Sequence, residues 1–349
     1  MKAMLLKGPG RIVETDLLVP SCPRDGLLLE VKACGLCGGD IRAYETGGMP
    51  GGAEIMGHEV TGIVREAGPD AGGYRPGDRL ALAADIRCDR CHYCLSGRPN
   101  LCTDLKILGK HVPGGFVELM ALTSAVLQRG IVRRLPEELS FVQGALSEPF
   151  SSVLAAQDSL GVGFGQTVVV IGAGPIGCLH AALAKARGAF RVVLADRSPG
   201  RLAAAARALN GLGIGDFLNP ETTDLVTAVR GLTEGLGADV AIAACPAPEV
   251  PGQAVRMVRK RGTVGVFGGF PPGREKLEID GNLLHYGEIR LVGNFSYHPR
   301  YHRLSLEALA RRVVDPDRFI AVYPLNQLAQ AILDARAGRI LKAVLVPQS

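Results

Sequence analysis

No apolar stretch of this chain approaches the roughly 20 residues that a membrane-spanning helix needs, and the best candidate, 167–171, runs straight into glycines. The chain is therefore read as one that does not enter a membrane. Its first residues, Met1-Lys2-Ala3-Met4-Leu5-Leu6-Lys7, carry charge but too short an apolar run for the core of a secretory signal, so a cytoplasmic protein is expected. Also missing are low-complexity segments, long charged tails and repeats beyond a β–α alternation, so nothing points to a repeat array or a partner-binding appendage. The formal net charge is +5, but Arg and Lys are interleaved with acids and form no basic stripe for nucleic acid. With 47% hydrophobic and 21% charged residues, a disordered chain, a collagen and a coiled coil are excluded. At roughly 150 residues per domain, 349 residues make about two domains with sizeable cores.

What is present is more informative. Nine cysteines need a reason in a reducing compartment, where a disulfide framework is not expected. Four of them, Cys88, Cys91, Cys94 and Cys102, follow the pattern Cys-x-x-Cys-x-x-Cys-x7-Cys. Four thiolates on so short a lobe close a tetrahedron around Zn²⁺ and leave no position for a reactant, which makes the site structural. The residues between them are polar and turn-forming, so the metal must order the lobe. An iron–sulfur cluster or unoccupied thiols are the competing readings.

A second group lies upstream, where Cys34-Gly35-Leu36-Cys37-Gly38-Gly39-Asp40 is followed about twenty residues later by Gly57-His58-Glu59. A lone His beside a Glu is more often a satisfied polar pair than a ligand pair. Cys, His and carboxylate together, however, are the donors of catalytic zinc, where three protein groups leave a place for substrate or water. A further acid, Glu148 in Leu146-Ser147-Glu148-Pro149, stands just before the next domain and could approach the same metal.

That next domain opens on the β-branched run 166–171, followed at once by Gly172-Ala173-Gly174-Pro175-Ile176-Gly177, a helical pattern over 178–187 and a second strand over 191–195. Asp196 ends that strand twenty-four residues after Gly172. This is a βαβ dinucleotide fingerprint: the glycines let a pyrophosphate approach the helix N-terminus, and the acid accepts from the ribose 2′-hydroxyl while repelling a 2′-phosphate. NAD is favoured over NADP, although Arg197 beside the acid weakens the preference. Further strands over 239–244, 263–267 and 290–292 alternate with helices over 201–209 and 253–259, as a doubly wound parallel sheet requires.

The chain resembles the zinc-dependent medium-chain dehydrogenases of the alcohol dehydrogenase superfamily, in the polyol and threonine dehydrogenase branch. The resemblance covers nearly the whole length and rests on Cys34 to Asp40, Gly57-His58-Glu59, Pro76-Gly77-Asp78-Arg79, the four-cysteine lobe, Gly114-Gly115-Phe116, Glu148-Pro149 and the glycine fingerprint. It implies an α/β protein with a GroES-like, β-barrel-type catalytic domain over 1–150 and 294–349, carrying the structural zinc lobe at 86–104. A Rossmann NAD-binding domain over 151–293 is inserted, with the active site in the cleft. Two zinc ions per chain are implied: Cys37, His58 and Glu59 hold the catalytic one, with Glu148 ligating it or hydrogen-bonding its water, and Cys34 stays outside the ligand set. Asp196 and Arg201 would hold the adenosine ribose, and the nicotinamide end would lie along Val266-Phe267-Gly268 and Phe295-Ser296-Tyr297. The implied reaction moves a hydride between a secondary alcohol and NAD to give a ketone. A homo-oligomer, dimer or tetramer, would pair near 277–292.

The departures from the family pattern bear on substrate. Relatives usually carry Ser or Thr two residues after the ligand Cys and a His three residues further on, which relay the alcohol proton; here these positions are Gly39 and Arg42. A water, a substrate hydroxyl or Glu148 must replace the relay. Sorbitol-type enzymes have Tyr at Ala43 and Arg at Ser296, so the pocket is expected to take a cyclic polyol, amino-cyclitol or sugar rather than sorbitol. A threonine-type amino-alcohol dehydrogenase and a non-catalytic NAD-binding zinc sensor are the alternatives, whereas a zinc-free reductase conflicts with both metal groups.

Among other residues, His111 is read as a loop histidine. His285, His298 and His302, near Tyr286, Tyr297 and Tyr301, line a substrate pocket or make an aromatic interface. Cys22, Cys178 and Cys245 are read as packing thiols.

Overall fold

The structure, a computed structural model, describes residues 1–49 and 51–348. It divides into two compact units, Met1–Ser151 with Tyr297–Ser349, and Ser152–Ser296. The return crossing falls three residues beyond the expected 293/294 boundary. Asn294 keeps that segment on the second unit: its backbone N–H donates to Val266 O at 3.0 Å and its Nδ2 to Ser159 Oγ at 2.6 Å.

The first unit is built on a seven-stranded sheet in the order Ile320–Pro324, Lys342–Val346, Leu27–Gly35, Glu59–Ala67, Arg79–Ala83, Ile131–Arg134, with Leu119–Leu122 also paired to Leu27–Gly35. All pairings are antiparallel except that of Ile320–Pro324 with Lys342–Val346. The long strand Leu27–Gly35 serves three neighbours, so its side chains are almost all withdrawn from water. Leu27, Leu29, Met56, Phe116, Leu122 and Leu345 pack in the core beneath it. Burial of side chains this size contributes about 1.5–3 kcal/mol each. The hairpin Lys2–Gly8 and Arg11–Asp16 and the short pair Asp85–Ile86 with Lys106–Ile107 complete the strands of this unit among the described residues.

The second unit is a six-stranded parallel sheet in the order Asp216–Leu218, Arg191–Ala195, Thr167–Ile171, Ala238–Ala243, Val258–Val266, Arg290–Gly293. Numbered along the chain this is 3-2-1-4-5-6, the doubly wound order, whose direction reverses beside Thr167–Ile171. The Val-Val-Val-Ile run there is buried throughout, as a central parallel strand covered on both faces must be.

Two elements differ from expectation. The helix expected over 253–259 is Val250–Met257, and Val258 already belongs to the next strand. That strand bulges, pairing Val258 with Ala238 and Thr263 with Val240 while Arg261 takes φ 60 between them, so its first half had no strand-like alternation to read. The edge strand Asp216–Leu218 has three half-buried residues and no sequence signature.

Candidate functional site

Two donor groups stand out in the first unit. Cys37 caps the helix Gly38–Thr46: its Sγ accepts from Gly39 N–H at 3.4 Å, and Asp40 Oδ2 accepts from Cys37 N–H at 2.9 Å. Glu59 opens the strand Glu59–Ala67 and pairs across to Gly35. A Cβ on Gly35 would sit 1.9 Å from Glu59 Oε2, so only glycine leaves room for that carboxylate. In consequence one donor atom each from Cys37, His58 and Glu59 lies within 4.8 Å of the others.

The electrostatics are crowded. The thiolate of Cys37 and the carboxylates of Asp40 and Glu148 raise the His58 pKa well above its usual value, against the opposing effect of burial. His58 Nδ1 and Asp40 Oδ1 are buried with no hydrogen-bond partner. Behind Glu59, and unanticipated from the sequence, stands Lys342, buried on the strand Lys342–Val346, with Nζ 2.5 Å from the carboxylate and 2.7 Å from Leu36 O. A lysine opening an otherwise apolar strand was the available signal.

Glu148 lies outside the three-donor group but is electrostatically coupled to it through His58 and Glu59. It is buried in the first turn of the helix Ser147–Leu160, and its Oε1 accepts from Tyr297 Oη at 2.7 Å. Burial pushes its pKa up to about 7, with His58 opposing and Glu59 adding to the shift. Asp85, which sequence reasoning did not single out, is buried and adds to the same shift. Tyr297, expected at the nicotinamide end, thus has its hydroxyl on this acid. A Cβ on Gly39 would clash with nothing and would make ordinary contact with Cys37 Sγ at 3.8 Å. Ala43, on the buried face of the same helix, packs in the hydrophobic core.

The second donor group is Cys88, Cys91, Cys94 and Cys102, whose four Sγ atoms lie within 4.8 Å of one another. Cys91 caps the short helix His92–Leu95, Asp89 takes φ 57, and Cys88 N–H donates to Cys102 Sγ at 3.3 Å. Backbone N–H groups of Cys94 and Thr103 lower the Cys91 pKa to about 5, whereas burial pushes Cys94 up to about 12. Tyr93, Leu95 and Leu101 are exposed, so the lobe has no apolar core of its own.

In the second unit, Gly174 caps the helix Pro175–Ala186 without a side-chain bond, and the space beside its Cα is open. A Cβ on Gly177 would lie 1.7 Å from Gly172 O, which is why helix and strand approach so closely here. Asp196 is buried at the end of Arg191–Ala195. Its Oδ2 accepts from Ala173 N–H and its Oδ1 from Ser198 N–H, each at 2.8 Å, tying the two βα turns together. Ile176 and Arg201 are half-buried nearby in sequence, and Arg197 is exposed. Val266 ends the strand Val258–Val266, and Phe267 and Gly268 follow it with both N–H groups directed at Ala243 O. Phe295 is exposed and Ser296 takes φ 48.

The remaining histidines separate. His285 lies edge-on to Tyr286 in the second unit, His111 Nδ1 accepts from Ile107 N–H in a loop, and His302 is fully buried against Ser147.

A family model described as an alcohol dehydrogenase GroES-like domain matches residues 23–130, and one described as a zinc-binding dehydrogenase matches 175–311. Sorbitol dehydrogenase of Bacillus subtilis is 30% identical over 95% of this chain and 92% of its own. L-threonine 3-dehydrogenase of Pyrococcus horikoshii is 31% identical over 84% and 82%. Among solved structures, a zinc-binding dehydrogenase from Sinorhizobium meliloti, bound to NADP, superposes with a TM-score of 0.89 at 32% identity, covering 99% of each chain.

Proposed function

The chain belongs to the zinc-binding dehydrogenases and is an oxidoreductase of the alcohol dehydrogenase type, and from that premise we propose that it oxidises a secondary alcohol to a ketone with NAD. The observation that carries the reading is the Cys37, His58 and Glu59 group, three donors rather than four, next to a buried acid that is not itself among them. The residues fit a divalent cation: a His58 ring nitrogen is buried without a partner, and the Cys37 thiolate and the carboxylates of Asp40 and Glu148 surround that ring with negative charge. We assign Cys37, His58 and Glu59 as holding the catalytic zinc, and Cys88, Cys91, Cys94 and Cys102 as holding a structural one.

When bound, zinc acidifies an alcohol hydroxyl and a nicotinamide accepts the hydride. The chain's part is to orient both and to move the proton. Gly39 carries no hydroxyl for a relay, and Glu148, with a pKa of about 7 and one oxygen held by Tyr297, is suited to take the proton at neutral pH. The second unit supplies the cofactor groove: Gly172, Gly174, Pro175, Ile176 and Gly177 for the pyrophosphate, Asp196 and Arg201 for the ribose, and Val266, Phe267, Gly268, Phe295 and Ser296 toward the nicotinamide. An acid at position 196 supports NAD over NADP, even though the Sinorhizobium relative holds NADP.

The missing side chain at Gly39, beside Cys37 Sγ, supports a cyclic polyol, amino-cyclitol or sugar as substrate in preference to a linear polyol or threonine. The exposed edge strand Arg290–Gly293, with Leu291 and Tyr286 open to solvent, supports a homo-oligomer. The free thiols of all nine cysteines suit a cytoplasmic location.

The test is NADH formation by zinc-replete protein across linear polyols, cyclitols, amino-cyclitols, threonine and simple alcohols, repeated with NADP and after chelation. NAD-dependent turnover confined to cyclic substrates and lost on chelation is the expected result. Turnover of linear polyols alone would overturn the substrate assignment, and preference for NADP would overturn that of the cofactor.

A further inference from the structure

Ser147, immediately before Glu148, is held by an unusual number of buried bonds. Its Oγ is 3.0 Å from His302 Nε2, and its carbonyl accepts from Ser305 Oγ at 2.8 Å and from Ser151 Oγ at 2.5 Å. His302, Ser305 and Ser151 are fully buried and Ser147 nearly so. His302 and Ser305 share the helix Arg300–Ala310, and Tyr297, whose hydroxyl binds Glu148, lies three residues before that helix. One short segment, 297–305, therefore grips the first turn of Ser147–Leu160 at three points: the Glu148 carboxylate, the Ser147 hydroxyl and the Ser147 carbonyl.

The imidazole is a costly way to fill this space. Burial drives its pKa down to about 3, so it is neutral, and its Nδ1 has no partner. An apolar ring of similar volume would avoid the unsatisfied nitrogen but would lose the bond to Ser147. Buried polar networks of this kind hold one arrangement of the groups they join.

We propose that His302 is a positioning residue for the reaction: through Ser147 it fixes the first turn of Ser147–Leu160 and so the place of the Glu148 carboxyl. The proposal rests on the reading that Glu148 works at the catalytic centre, and the experiment separates the two.

Zinc-loaded H302F, H302Q, S147A, E148Q and H302F/E148Q are compared with the parent on the best alcohol of the panel. H302F and S147A are expected to lower kcat about ten- to a hundredfold while both KM values stay within about twofold, since a small misplacement of a reacting group costs that much. H302Q, whose amide nitrogen reaches the Nε2 position, should recover most of the loss. H302F should add nothing to E148Q, and it should speed hydrogen exchange at the Phe150 and Ser151 amides. An equal further loss on adding H302F to E148Q, or an unchanged kcat in H302F and S147A, would overturn the proposal while leaving Glu148 in place. A fully active E148Q would remove the role of Glu148, and with it the proposal. Should H302F not fold, S147A, which deletes one oxygen, tests the same bond.

Discussion

Lys342 and Glu59 form a buried ion pair, their side chains 4% and 1% exposed, with the ammonium 2.5 Å from the carboxylate and also bonded to Leu36 O. Burial disfavours the ammonium, but the charge and hydrogen bond of Glu59 together with the charges of Cys37 and Glu148 outweigh it, and the Lys342 pKa is raised. The pair joins the C-terminal strand Lys342–Val346 to the start of Glu59–Ala67, so the far end of the chain sets the orientation of a donor near its beginning.

In the zinc-free protein, Lys342→Met leaves the Glu59 carboxylate buried without its partner. Removing one member of such a pair costs about 3–5 kcal/mol, and urea unfolding should show a loss of that size. A loss below about 1 kcal/mol would mean that solvent or a neighbour compensates the acid.

Gly39→Ser should fold normally, because a Cβ there makes only ordinary contact with Cys37 Sγ at 3.8 Å. The hydroxyl offers the missing relay but takes up pocket volume. The expected result is a drop of about tenfold or more in kcat/KM for cyclic alcohols, with linear ones unchanged or improved. Equal effects on both classes would show that position 39 does not shape the pocket.

Cys94→Ser removes one corner of the four-thiol lobe. With no apolar core to fall back on, residues 86–104 should lose hydrogen-exchange protection, and metal analysis should find about one zinc fewer per chain. Full zinc content with an intact lobe would contradict the assignment of this site.

His180 is fully buried in the second unit, edge-on to Phe267 with ring centroids 4.8 Å apart, and burial lowers its pKa to about 3. Between that value and the ordinary histidine value of about 6.5, the unfolded chain binds a proton that the folded chain does not. Its contribution to stability is therefore complete above this window and is lost as the pH falls through it, at about 1.4 kcal/mol per pH unit. Unfolding free energies from urea titrations at pH 6 to pH 4 should fall less steeply in His180→Phe by about that slope. Parallel curves for the two proteins would refute the assignment.

The parallel sheet was legible because its strands carry a continuous β-branched run and its turns carry glycines whose spacing has one structural use. The cysteine lobe was legible for a similar reason: four thiols at that spacing have few alternatives. The bulged half of Val258–Val266 was not legible, because an irregular pairing has no period, and the edge strand Asp216–Leu218 is too short to show one.

The sequence by itself determined the classes of chemistry present, the metal donors near one another along the chain, and the βαβ fingerprint, since each depends on local spacing and backbone freedom. Only the tertiary structure decided that Lys342 neutralises Glu59, that Tyr297 holds Glu148, that Asp196 ties together two turns, and that His302 leaves its neighbouring histidines to bind Ser147. Those partners are separated by up to 283 residues, and no local pattern encodes them. They meet because burial of the strands and helices that carry them brings polar atoms out of water, where each must find a partner or remain unsatisfied.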